Sequence, residues 1–295
     1  MSNGIQRRQN EENSIVMLAA QRQLYSEAKN TETIVAFFSL FLPFLCACIQ
    51  IVVKDNTVLN TVVYIIPIIS MVISIFLEKY IEKEKETAAF IQQQVDTYVY
   101  QMPWDKRLFG DNKNINSTIA EKSNKYLRKE GNEDKLHNWY TPKVDTFPIK
   151  KGILECQKEN FSWDIGLRKR YRAISIAFII MLSVIIFGIG IVQDEKPSVL
   201  VYRMAFVFPL IQWLSEIVKS LSADIRRLEK VNDLMSISEE KTIEDLQDIQ
   251  KDIFEHRKSC RSIPNFFYRI YKKRDENNAS RTIEIEANSC RDSSN

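Results

Sequence analysis

Glycine is scarce in this chain, at seven of 295 residues, and no cluster of it could wrap a phosphate. GxSxG, HExxH and an acid pair backed by histidine are also missing. Histidine is limited to His137 and His256, which argues against a histidine-based metal or acid–base site. The five cysteines, Cys46, Cys48, Cys156, Cys260 and Cys290, form no CxxC pair. Their odd number and wide scatter argue against a disulfide framework or a zinc centre. Cys290, in a polar tail, reads as a free thiol. A net charge of +3 is too small to imply a nucleic-acid partner. These absences predict a protein that is not an enzyme, with no catalytic residues, no metal and no cofactor.

Long apolar runs are what the chain does have. Its mean hydropathy is slightly negative, but that average mixes two very different kinds of segment. Four runs, 34–53, 58–77, 173–192 and 199–221, reach the length that crosses a bilayer core. Such a crossing takes about 20 helical residues for roughly 30 Å of hydrocarbon. The first holds only Ser39 and Gln50 as polar residues, the second is interrupted by Asn60 and Thr61, and the third carries no charge. The fourth contains Arg203, Gln212 and Glu216. Residues 1–33 are polar and do not read as a signal peptide, so the first run is expected to be retained.

The connections 54–57 and 193–198 are short enough to join only antiparallel neighbours. Each holds one lysine, whereas the outer flanks are rich in Lys and Arg, including Arg22, Lys29, Lys79, Lys83, Lys85, Arg226 and Arg227. The positive-inside rule then places both termini in the cytoplasm. The expected fold is an all-α membrane protein: four transmembrane helices as two hairpins, with long helical cytoplasmic extensions. Its pieces are an N-terminal cytoplasmic helix (1–33), hairpin 1 (34–77), a cytoplasmic helical region (78–172), hairpin 2 (173–221) and cytoplasmic C-terminal helices (222–275). Residues 276–295, rich in Ser, Asn and charge, are expected to be disordered.

The extensions show helical spacing. Residues 78–100 contain no Gly or Pro, and Ala88, Ile91, Val95, Tyr98 and Met102 follow a 3-4-3-4 seam. That seam suits either packing within the chain or contact between subunits. Continuous from 58 to 102, the helix would be about 65–70 Å long at 1.5 Å per residue, with Pro103 as its stop. A helix after Pro148 is expected to run into the third apolar run. Leu221, Ile225, Leu228, Val231 and Met235 extend the fourth as a stripe. Thr242 with Asp245 reads as a capping-box variant opening another helix.

Two sets of residues stand out functionally. Pro43, Pro67 and Pro209 kink their runs, and kinks serve either as hinges or as static shape. Arg203, Gln212 and Glu216 sit poorly in lipid and either line a pore or snorkel to the surface. These six are the pore or gate candidates. Between Trp163 and Arg172, four cations lie beside Trp163 and Tyr171. They suit phosphate with stacked bases, or topology and anionic lipid. Trp163, Arg168, Arg170 and Arg172 are the ligand-binding candidates.

Three stretches resemble one family. Cys156-Gln157-Lys158-Glu159-Asn160-Phe161-Ser162-Trp163-Asp164-Ile165-Gly166-Leu167-Arg168, just before the third run, looks like a signature of SMODS-associating four-transmembrane effectors. Gln21-Arg22-Gln23-Leu24-Tyr25 with Ala28-Lys29 resembles their juxtamembrane helix. Ile263-Pro264-Asn265-Phe266-Phe267-Tyr268-Arg269 resembles their closing motif, with Asn265 where an acid is expected. The resemblance implies an effector of bacterial cyclic-oligonucleotide anti-phage systems. In these a nucleotidyltransferase senses infection and makes a cyclic nucleotide, and the effector compromises the inner (cell) membrane. The implied function is a cyclic-nucleotide-activated, oligomeric, pore-forming effector. Its implied partners are membrane lipid, the cyclic nucleotide, further copies of itself and, functionally, a cyclic-nucleotide synthase. A membrane-anchored scaffold or adaptor without a pore is the alternative.

Overall fold

A computed structural model describes residues 2–42, 45–46, 49, 57–111, 115–193, 196–237, 240–267, 270–271, 281 and 285. Among these, the chain is helical with no strand. The helices are α1 (Ile5–Gln9), α2 (Glu12–Ala36), α3 (Thr57–Tyr100), α4 (Lys106–Phe109), α5 (Asn116–Glu130), α6 (Ile149–Val192), α7 (Pro197–Ser236) and α8 (Ile243–Ser259). A π-helical turn, Phe37–Phe41, continues α2 into the first apolar run. A 3-10 turn, Pro142–Thr146, precedes α6.

Local chemistry sets the boundaries. Helix α3 runs for 44 residues straight through Pro67. It ends where Gln101 takes a left-handed φ of 56° and Pro103 follows, a residue that cannot continue the ladder. Gly131, at φ 78°, closes α5 with the left-handed conformation glycine adopts without strain. Pro197 opens α7 at its first turn. The Thr242 side chain accepts from the Asp245 backbone, and Asp245 accepts from the Thr242 backbone, so the expected capping box is present.

The long helices divide into two halves. In α3 the large apolar residues left exposed fall mostly between Val58 and Phe76, with Tyr80 and Tyr98 further on, and in α6 mostly between Ile174 and Val192, with Ile149 at the helix start. Beyond them α3, α6 and α7 enter a packed helical body. Among the described residues, α3 and α6 are the two helices long and apolar enough to cross a membrane. A contiguous exposed apolar surface of this extent marks a contact with something other than water. Between the π-helical turn and α3, the Ser39 and Ser74 hydroxyls hydrogen-bond at 3.0 Å. Parts of the runs 34–53 and 199–221 fall outside the described residues, as does most of 276–295.

The body's core gathers Ile15, Leu18, Val95, Val99, Ile153, Leu228, Val231, Leu246 and Ile253 from α2, α3, α6, α7 and α8, with Tyr140 from the segment before the 3-10 turn. The stripe from Leu221 to Met235 is buried throughout, as its spacing predicts. The alternatives for the α3 seam are resolved towards the interior. Ala88, Ile91, Val95 and Met102 are buried against this chain's own α2, α5 and core, and only Tyr98 is exposed. The amphipathic N-terminal helix reaches it first, through Ala20 and Leu24.

Candidate functional site

Each of the four apolar runs has a charged residue close to the end that meets the packed body. Lys29 and Glu32 precede the first, Lys85 follows the second, Asp164 and Arg168 precede the third, and Asp224 follows the fourth. The structure brings all of them onto one short stretch of chain, 256–262 at the end of α8. The result is a buried collar beneath the apolar halves of the helices.

Arg168 is its centre. Its Nε donates to Asp164 Oδ2 at 2.9 Å. Its Nη1 donates to Asp224 Oδ2 at 2.8 Å and to the Arg261 carbonyl at 2.9 Å. The Arg261 backbone N–H returns a bond to Asp224 Oδ2 at 3.0 Å. His256 Nε2 lies 2.8 Å from Asp164 Oδ2. Lys85 Nζ donates to the Cys260 carbonyl at 2.9 Å and pairs with Glu32 Oε1 at 2.8 Å. Ser262 Oγ completes the ring by donating to Glu32 at 2.8 Å. Charge-assisted bonds of this kind are about twice as strong as neutral ones.

Burial and charge compete at Asp164, His256, Cys260 and Lys29. Burial alone would raise the Asp164 carboxyl, but Arg168 and His256 overcome it and hold the group below its usual range. Burial would depress His256, but Cys260 and Asp164 outweigh it and lift the imidazole to about 9. The Cys260 thiol, raised by burial, is pulled down further by Arg168 and His256. Lys29, desolvated among Cys260, Glu32, Asp164 and Arg168, is lowered.

Next along α8, Arg257 belongs to a second buried cluster. Its Nη1 donates to Asp96 Oδ2 at 2.6 Å. Tyr140 donates its hydroxyl to Asp96 Oδ1 at 2.6 Å. Gln250 Nε2 donates to both Asp96 and Gln93, and Gln157 Nε2 donates to Gln250. Consecutive residues of α8, His256 and Arg257, thus join the collar to the middle of the body.

The sequence-derived ligand candidates are not assembled into one pocket. Arg168 is 4% exposed and its guanidinium is committed to the collar. Arg170 lies over the Tyr271 ring, 5.0 Å from its centroid. Arg172 Nη1 lies 3.4 Å from Ser222 Oγ. The Trp163 side chain is outside the described residues. Of the pore candidates, Pro67 is half-buried in α3. Pro43 and the side chains of Arg203 and Pro209 are outside the description. Gln212 and Glu216 are exposed on α7, while Leu214, Ile217 and Leu221 face Tyr171 and α6. The two polar residues therefore point away from the chain's own bundle.

Sequence reading missed Asp164, Asp224, Lys85, Glu32, His256 and Cys260 as a group. The i,i+4 pairs Asp164–Arg168 and His256–Cys260 were the visible signals. A concavity of about 650 Å³ opens elsewhere, lined by Met17, Gln94, Thr97, Tyr98, Met102 and Trp104. A smaller one adjoins it through Pro103 and Trp104 and adds Lys106 and Arg107.

No solved structure matches the chain. Over 190 residues it is 26% identical to a probable CBASS effector molecule of Bacillus cereus (strain VD146). That alignment covers 61% of this chain and 61% of the relative, so it spans less than two thirds of the relative's length. A family model described as the SMODS-associating 4TM effector domain matches residues 3–285. The match takes in nearly the whole chain and agrees with the two exposed apolar helices, which makes this a membrane protein. The chain belongs to the SMODS-associating 4TM effector family.

Proposed function

We propose that this chain is a cyclic-nucleotide-activated effector of an anti-phage signalling system. It crosses the bacterial inner membrane four times, keeps both termini in the cytoplasm and permeabilises the membrane as an oligomer. The collar carries this reading: the cytoplasmic ends of all four apolar runs are held by one ion-paired ring around residues 256–262. A ligand shifts an equilibrium only through tighter binding to one arrangement. A signal that binds the cytoplasmic body and displaces α8 would act on every span at once, through His256 and Arg257. The likeness to a probable CBASS effector supports the signalling class.

Gln212 and Glu216 support assembly. An ionisable side chain facing lipid near mid-bilayer costs about 2.5–3.5 kcal/mol or more. On the outer face of α7, a second copy or a water-filled path relieves that cost. The signal is proposed to dock in the groove beside Trp104, whose ring offers a stacking surface next to Lys106 and Arg107. Arg170 and Arg172 remain proposed contacts on the collar helix, while Arg168 transmits rather than binds. No catalytic step forms part of the proposal.

The test uses the purified chain in dye-loaded liposomes, with cyclic di- and trinucleotides added one at a time. One of them is expected to release dye. Glu216→Leu should abolish release while leaving nucleotide binding intact, and Trp104→Ala should weaken binding. Binding without release would establish the adaptor reading instead, and no binding by any cyclic nucleotide would reject both the trigger and the groove.

A further inference from the structure

The closing motif, 263–269, directly follows the collar stretch, and together with the next residue, Ile270, it presents a strongly exposed apolar pair. Ile263 and Phe267 are buried against Leu167, with Tyr171 and Tyr271 packed around them. The Phe267 ring lies 5.1 Å from Tyr171 and 4.9 Å from Tyr271. Phe266 and Ile270 are 62% and 66% exposed.

Their height on the molecule identifies what covers them. Leu167 and Tyr171 precede the third apolar run by six and two residues. At 1.5 Å per residue this places them about 3–9 Å below the start of the run. The headgroup layer is roughly 5–8 Å deep on each side of the hydrocarbon. The packed motif, held against Leu167 and Tyr171, therefore lies at headgroup depth. Aromatic residues concentrate at this depth, and amphipathic segments lie flat there with their apolar side down. The sequence runs on as Lys272-Lys273-Arg274, cations suited to lipid phosphate.

We propose that the segment around Phe266 and Ile270 is a lipid-binding surface, lying in the plane of the cytoplasmic headgroup layer. It is tethered to the collar by residues 260–263. The bilayer thus holds one end of the strap whose other end holds the roots of the spans. This rests on the reading of 173–192 as a membrane span.

The experiment places the photo-cross-linker p-benzoylphenylalanine, one site at a time, in the full chain at Phe266, Ile270, Phe76 and Leu234. Phe76 belongs to the exposed apolar half of α3, and Leu234 is exposed at the cytoplasmic end of α7. Each protein is irradiated in vesicles of phosphatidylethanolamine and phosphatidylglycerol and its adducts are identified by mass spectrometry. Lipid adducts are expected at 266, 270 and 76, and not at 234. Adducts at 76, with 266 and 270 unreacted or joined to another copy of the chain, overturn the lipid surface alone. Absence of lipid adducts at 76 as well overturns the membrane reading beneath it.

Discussion

Replacing Arg168 with methionine keeps a long side chain but removes the cation that two buried carboxylates share. Breaking a buried pair by deleting one partner costs about 3–5 kcal/mol, because the remaining charge stays buried. Here the loss is cushioned. Asp164 keeps His256 at 2.8 Å, and Asp224 keeps the Arg261 N–H at 3.0 Å. The lower end, about 3 kcal/mol, is therefore expected. At roughly 2–4 °C per kcal/mol for a body of 150–250 residues, that lowers the melting temperature in detergent by about 6–12 °C. Intrinsic tryptophan fluorescence during heating gives the readout. Asp224→Asn made together with Arg168→Met removes one orphaned negative charge along with the cation. The double variant should melt above the sum of the single losses, by a coupling of about 0.5–3 kcal/mol. An Arg168→Met protein melting within 1 °C of the parent, at the precision of that assay, refutes the collar. So does strict additivity of the pair.

Two further outcomes follow from the same geometry. His256 binds its proton more tightly folded, at about 9 against 6.5, so its contribution is whole below pH 6.5 and is lost as pH rises through 9. Melting temperature should fall between pH 7 and 10, and His256→Gln should flatten that limb. The depressed Asp164 acts in the opposite sense, contributing above its unfolded value of 3.8 and losing this only in strong acid. A pH profile of melting that is identical in parent and His256→Gln protein contradicts the assignment. Separately, Ile91→Ala should cost the protomer about 2–5 kcal/mol, as for other fully buried isoleucines, without changing the distribution of chemically cross-linked oligomers. Loss of oligomers from a protomer of unchanged stability would return the α3 seam to the subunit interface.

The fold was legible where local chemistry decides it. Thr242 and Asp245 announce their own helix start, Pro148 and Pro197 lie at the openings of α6 and α7, and the stripe from Leu221 to Met235 is buried as its spacing requires. The seam on α3 was legible as a seam, but not its occupant. Period alone shows that a face is apolar, and only tertiary packing showed that α2 covers it before another copy can. The collar was least legible. Asp164 meets His256 across 92 residues and Arg168 meets Asp224 across 56. The sequence displays charges near each apolar run, where the positive-inside rule and lipid headgroups already account for them. Nothing local separates a cation that faces phosphate from one turned inward onto a carboxylate. The basic cluster ending at Arg172 was read as one patch for that reason, although helical geometry sends its members to different neighbours.

Stability alone does not explain why the helix roots meet through ions. Well-packed apolar residues of similar volume often hold such a junction as firmly or more firmly, because no charge has to be desolvated. An apolar junction, however, tolerates sliding, since its attraction is nearly indifferent to direction. An ion-paired junction has a definite set of partners, and its members remain poorly satisfied until they find another definite set. That is the property required where several helices must move together between discrete arrangements. The order of attachment fits: Arg168 fixes the roots of α6 and α7, Lys85 and Glu32 those of α3 and α2, and both groups close on residues 256–262. On the proposed function, a trigger acting on the end of α8 would reach all of these helix roots together, whereas loss of any single root contact leaves the others engaged.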